Sequence, residues 1–281
     1  MDEQRKGKRK RTEIVPETKS LLGFLLESLP TRDNTLCQHS FVSQLDTSVL
    51  KQLRAYLVDS FPGSPEVATA LLDHVAMKQP KHLRTKELIE TVEVVKRAGS
   101  EINHLLSKAG QVSGIYDLAC GHGLAGVLMA YRFPKLQVVC IDRTRRPCFD
   151  SYLAAFKEHG EGPSLEKNLK FVEGDITPSS AAGQSLPPQT FVLCIHGCNE
   201  MSTTAAELAR RANGAYTIMP CCIRDDVFGV RTHSAFKRWH MDDSTRYSVQ
   251  VGYLAGKLGA RKVCTIDRRI TNRHLGIVGA F

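Results

Sequence analysis

Ile115-Tyr116-Asp117-Leu118-Ala119-Cys120-Gly121-His122-Gly123-Leu124-Ala125-Gly126, continued by Val127 to Arg143, is the stretch whose reading decides the fold. Ile115 to Cys120 is a short apolar run holding one acid, as in a buried parallel strand. Leu124, Val127, Leu128 and Tyr131 then recur at helical spacing, so a helix starts directly after Gly123. Pro134 ends that helix, and Gln137 to Ile141 is a second, β-branched strand closing on Asp142. Strand, glycine loop, helix and strand make one βαβ half of a nucleotide-binding sheet.

Gly121, Gly123 and Gly126 keep the spacing G-x-G-x-x-G. It permits a tight turn and brings free N–H groups of a helix start close to a ligand. Asp142, about 20 residues past the first glycine, stands where an acid accepts hydrogen bonds from ribose hydroxyls. These features suit NAD and S-adenosylmethionine equally. Asp117 separates them. A carboxylate inside the first strand repels a pyrophosphate, whereas it favours a ligand that carries an ammonium and a sulfonium.

Outward from this core the chain has 281 residues, enough for one large domain with an extension. A formal net charge of +9 favours a polyanionic partner. Nine cysteines, several inside expected core strands, read as reduced intracellular thiols, and the expected location is intracellular, in the nucleus or cytoplasm or within an organelle. No apolar run approaches the roughly 18 residues of a membrane helix, and no secretory leader is expected at the N-terminus. Arg5 to Arg11 is a basic run in a tail expected to be disordered over 1–19. It reads equally as a localisation signal, a phosphate-tracking arm or a solvated tail.

Residues 20–110 are expected to be helical throughout, punctuated at Pro30, Pro62-Gly63 and Gln79-Pro80, and to cover one side of the sheet and the substrate mouth. The domain proper is expected over 111–281. Leu169 to Val172, Thr190 to Ile195 and Ala215 to Met219 are its next strands, and Tyr247, Val251, Leu254 and Leu258 mark a helical face. Lys262 to Ile270 and His274 to Phe281 close the chain as a tight antiparallel pair around Thr271-Asn272-Arg273. A plain dinucleotide fold has no need of that pair.

On these residues the sequence resembles the class I S-adenosylmethionine-dependent methyltransferases over roughly 111–281. Asp117, Gly121 and Gly123 match the family's first motif, Asp142 its ribose acid and Asp175 its adenine-loop acid. The resemblance implies a Rossmann-like α/β sheet with an antiparallel C-terminal strand pair, and S-adenosylmethionine as cofactor. It also implies a pocket of Asp117, Ala119, Cys120, Gly121, His122, Gly123, Asp142, Arg143, Gly174, Asp175, Ile176, His196 and Gly197.

A narrower resemblance rests on His196-Gly197-Cys198-Asn199-Glu200-Met201-Ser202-Thr203, similar to H-x-C-G-x-x-T, and on Pro220-Cys221-Cys222. That pairing marks a subgroup which includes the acceptor-stem tRNA 2′-O-methyltransferase. Asn199 stands where the subgroup has glycine, and no zinc-finger module accompanies it. The resemblance implies methylation of structured RNA, tRNA or rRNA. The alternatives are a protein or small-molecule methyltransferase, and a silent subunit of an RNA–protein assembly.

Asn199 and Glu200 are the candidate proton acceptors by location. Glu200 fits a helix start equally well. No N/D-P-P-Y/F stretch follows the fourth strand, which speaks against ordinary adenine N6 methylation. His196, Cys198, Cys221 and Cys222 hold the elements of a zinc site, and Cys221 those of a nucleophile attacking a pyrimidine. The preferred reading is packing, with no metal, because neighbouring side chains on a strand diverge. Arg231, Lys237, Arg238 and the sole Trp239 are the candidate substrate contacts, since cations beside an aromatic ring bind phosphate and stack a base. Trp239 as a loop anchor reads equally well.

Overall fold

The computed structural model describes residues 20–109, 112–159, 165–176, 185–197, 200–223 and 240–281. The basic tail, Cys198, Asn199 and the segment with Arg231, Lys237, Arg238 and Trp239 lie outside the described residues.

Seven strands form the central sheet. In chain order they are β3 (Gly114–Leu118), β4 (Gln137–Asp142), β5 (Leu169–Glu173), β6 (Thr190–Ile195), β7 (Ala215–Met219), β8 (Lys262–Thr265) and β9 (Leu275–Ala280). The sheet runs β5-β4-β3-β6-β7-β9-β8, parallel except for β9, which is antiparallel to both neighbours. The expected α/β sheet with its antiparallel C-terminal end is therefore present. Its closing turn differs. β8 and β9 are linked by residues 266–274 rather than by a three-residue turn, and Thr265 pairs with Leu275.

The strand order reverses between β3 and β6, and this creates a crevice at their carboxyl ends. Both strands are buried on both faces, which is why they read as continuous apolar runs. Helices α5 (Leu124–Arg132) and α6 (Pro147–Glu158) with the short α7 (Leu165–Asn168) cover one face, and α8 (Glu200–Arg211) and α9 (Asp243–Lys257) cover the other. Asn168 donates to the carbonyls of Ala130 and Phe133, satisfying the end of α5 beneath the sheet edge.

The N-terminal layer is less uniformly helical than expected. Helices α1 (Leu21–Ser28), α2 (Thr47–Ser60), α3 (Glu66–Ala68, continued as a π-helix over Thr69–Ala76) and α4 (Thr85–Ala109) are present. Between α1 and α2, however, Thr31–Arg32 (β1) and Thr35–Leu36 (β2) pair as a hairpin. Asp33 and Asn34 take φ of 53° and 63° at its turn, the left-handed pair such a hairpin needs. Short polar side chains tolerate that region, whereas a helix has no use for it.

Helix α4 joins this layer to the sheet. Leu88, Val92, Val95 and Ile102 belong to the same continuous core as Ile115, Leu124 and Phe191. Farther along α4, Glu101 is buried and pairs with Arg261 and with Lys262 at 3.1 Å, tying the helix to the start of β8. Glu93 accepts from Tyr56 at 2.9 Å and from Lys96 at 2.7 Å, tying it to α2. Among the described residues no helix is long and apolar enough to cross a membrane.

Candidate active site

Two adjoining cavities of about 240 and 370 Å3 open at the carboxyl ends of β3, β4 and β6. Taken together, their size falls in the range of small-molecule sites. Ala119, Asp142 and His196 line both, so the two form one bent cleft. The outer cavity adds Arg143, Gly174, Asp175, Ile176 and Gly197. The inner one adds Asp117, Cys120, Gly121 and His122. Every expected cofactor residue except Gly123 thus lines the cleft. Gly123 sits behind the loop at φ 74°, starting α5, where a Cβ would meet the Phe149 ring at 2.4 Å.

The local backbone is bent to make room. Ala119 and His196, at the ends of the adjacent strands β3 and β6, both have positive φ, 53° and 59°. Left-handed backbone at non-glycine residues costs energy and concentrates where a site demands it. The Gly121 N–H donates to Asp142 Oδ2 at 2.8 Å, so the acid at the end of β4 holds the glycine loop as well as facing the cleft. His122 Nδ1 accepts from the Leu124 N–H at 3.2 Å and covers a free donor at the start of α5. Burial holds the His122 imidazole below its usual pKa, with Glu87 acting in the opposite direction.

Asp117 is 1% exposed, and its Oδ2 accepts from the Gly126 N–H at 3.0 Å. Burial pushes its pKa from 3.8 up to about 7, against the pull of that hydrogen bond and with the Asp142 charge adding to the rise. The folded chain therefore binds a proton here that the unfolded chain releases near 3.8. This contribution falls as pH rises through that window and levels off above it. Asp117→Asn removes it, so the variant gains stability relative to wild type between those pH values. Urea midpoints followed across the window test this, and a constant difference would overturn it.

Asp175 pairs with Arg143 at 2.9 Å across the outer cavity, an exposed contact of small energetic weight. Glu200 stands exposed in the first turn of α8, where a carboxylate suits the helix dipole, and lines neither cavity. Cys221 and Cys222 correct the geometry expected of them. They fall beyond β7, not on it, and their sulfurs converge to 3.6 Å while the Cys221 thiol also faces the His196 carbonyl at 3.8 Å. The argument from diverging side chains does not apply to them.

Residues that the sequence did not single out complete the inner cavity. Lys86, Glu87, Glu90 and Thr91 reach it from α4, and Arg146 from the start of α6. Glu90 Oε2 faces His196 Nε2 at 2.8 Å and accepts from Lys86 at 3.0 Å. Burial works against this carboxylate, but the His196 hydrogen bond and the Lys86 charge hold its pKa below the ordinary value. One signal was present in the sequence. Leu88, Ile89, Val92, Val94 and Val95 place apolar residues all round α4, so an acid among them is buried and needs partners.

Residues 84–225, just over half of the chain, match the family model described as a methyltransferase domain. The chain belongs to that family. S-Adenosylmethionine is the cofactor that the sequence leads one to expect of a methyltransferase. The residues present fit that group. An acid stands at the end of β4, a glycine loop without a Cβ faces the cavity at Gly121, and a buried Glu90 oxygen awaits a donor.

No curated protein matches the methyltransferase by sequence. Among solved structures it is similar to an O-methyltransferase family protein from Burkholderia thailandensis, with 17% identity over 92% of this chain and 82% of that one, TM-score 0.38. It is also similar to the magnesium protoporphyrin IX methyltransferase of Synechocystis PCC 6803 with bound SAM, with 13% identity over 84% and 98%, TM-score 0.39. A third is a fibrillarin/Nop5p complex, with 12% identity over 60% and 73%, TM-score 0.41. At these identities and scores the likeness carries no argument about substrate.

Proposed function

We propose that the methyltransferase acts on structured RNA, tRNA or rRNA, in the nucleus or cytoplasm. The observation that carries this reading is a polar path leading away from the cleft. Lys86 lines the inner cavity and also a further cavity, of about 220 Å3, built by Arg32, Gln38 and His39 of the N-terminal layer with Thr271 and Asn272. The cations and amides of this path, which alternate with Asp33, Glu87 and Glu90, suit a polar phosphate-bearing partner better than an apolar metabolite. The formal net charge of +9 favours the same class of partner.

When bound, the cofactor supplies an already activated methyl group, so the protein's task is positioning within about 3–3.5 Å. Asp142, which holds the glycine loop, would also hold the cofactor's ribose. The imidazole of His196, oriented by Glu90, stands at the end of β6 between the two cavities. Asn199 and Glu200 remain the proposed proton acceptors for a hydroxyl or amine substrate, and Arg231, Lys237, Arg238 and Trp239 the proposed base and phosphate contacts.

Mass spectrometry of RNA nucleosides from cells with and without the protein tests the reading. Loss of one methylated nucleoside is expected, and an unchanged profile turns the choice to a protein or small-molecule acceptor. Binding in vitro gives a second check. Affinity for RNA should fall steeply with salt, and removal of residues up to Arg11 should flatten that slope. Trp239→Ala should lose on the order of 1–3 kcal/mol with little change in slope.

A further inference from the structure

Of the four acids that line the inner cavity, Asp117 and Glu90 are the two buried ones, and they are held in opposite ways. Asp117 has its Oδ2 engaged by the Gly126 N–H, and burial favours its neutral form. Glu90 is 3% exposed and its Oε2 is engaged by His196 and Lys86. Its other oxygen, Oε1, is buried and has no hydrogen-bond partner among the described residues. A buried carboxylate oxygen left without a donor is costly, and a cavity beside it is where the donor belongs. Arg146 lines the same cavity, and its guanidinium makes no hydrogen bond or ion pair within the described residues. One cavity therefore presents an uncommitted carboxylate oxygen and an uncommitted guanidinium. A zwitterion matches that pair.

We propose that Glu90 and Arg146 read the amino-acid end of the cofactor: Glu90 Oε1 accepts a hydrogen bond from its ammonium, and Arg146 pairs with its carboxylate. The proposal rests on S-adenosylmethionine as the cofactor and concerns which residues recognise it. It makes the helix before β3 a wall of the cofactor site, and it frees Asp117 to hold α5 against the sheet. A charge-assisted hydrogen bond to the ammonium also needs an ionised acid, and of the two carboxylates Glu90 is the one kept ionised by its neighbours.

The test compares two ligands on the full-length protein by calorimetry. S-Adenosylhomocysteine carries the amino-acid end. 5′-Methylthioadenosine has the same adenosine and a thioether but lacks that end. Wild type should prefer the first by on the order of tenfold or more. Glu90→Gln keeps the shape of the side chain and should erase most of that preference while leaving 5′-methylthioadenosine affinity unchanged. Arg146→Ala, at an exposed position that cannot unfold the core, should also reduce it. Equal weakening of both ligands in Glu90→Gln would mean a structural role and overturn the proposal. So would a preference that persists in both variants. A wild-type protein that binds neither ligand would overturn the cofactor assignment itself, a distinct result.

Discussion

Asp142→Ala is expected to weaken S-adenosylhomocysteine binding by roughly 10- to 100-fold, from the about 1.5–3 kcal/mol of charge-assisted hydrogen bonds it removes. Two losses combine. The ribose hydroxyls lose their acceptor, and the Gly121 N–H loses the Oδ2 that sits 2.8 Å away. The same carboxylate borders both cavities, so its loss is felt along the whole cleft. Asp142→Asn should fall between the two, because an amide oxygen still accepts one bond. Calorimetry that finds equal affinity in wild type and Asp142→Ala would sink the assignment.

Gly126→Ala should lower stability by about 1–3 kcal/mol through overpacking, although alanine is the better helix former by up to about 1 kcal/mol. A Cβ at this position would lie 2.1 Å from Cys140 Sγ and 3.3 Å from Asp117 Oδ2. Both neighbours are buried, so the strand and helix must part. For a chain of this size each kcal/mol shifts the thermal midpoint by about 2–4 °C. Gly252→Ala in α9 is the control, since nothing lies within 4 Å of its Cβ position. It should be neutral or slightly stabilising. Adding Cys140→Ala to Gly126→Ala should recover part of the loss, and midpoints that do not distinguish the two glycines would refute the packing account.

The parts of the fold legible in the sequence were those that repeat a local pattern. β6 and β7 run from Thr190 to Ile195 and from Ala215 to Met219, as their apolar runs imply. Gly121 and Asp142 meet because a glycine loop and a strand-end acid are encoded a fixed distance apart. Long-range pairings were not legible. Helical periodicity shows that Glu90 is buried on α4, but its distance to His196 follows only from how α4 lies against β6. The hairpin at Asp33-Asn34 was hidden because strands of two residues carry no periodicity, and only the turn chemistry betrays them. Cys221 and Cys222 were read as strand residues, and a strand that ends at Met219 lets their sulfurs face each other.

Helix α4 is fixed at two points, by Glu90 to His196 near its start and by Glu101 to Arg261 and Lys262 farther along. Its sequence therefore has to match the end of β6 and the start of β8 at once. A recombination event joining this sheet to a different N-terminal partner between residues 110 and 111, the boundary that sequence reading offers, would deliver a sheet with one wall of its pocket missing. Functional chimaeras should be recovered only when the crossover precedes Thr85, so the helix and the sheet are inherited together.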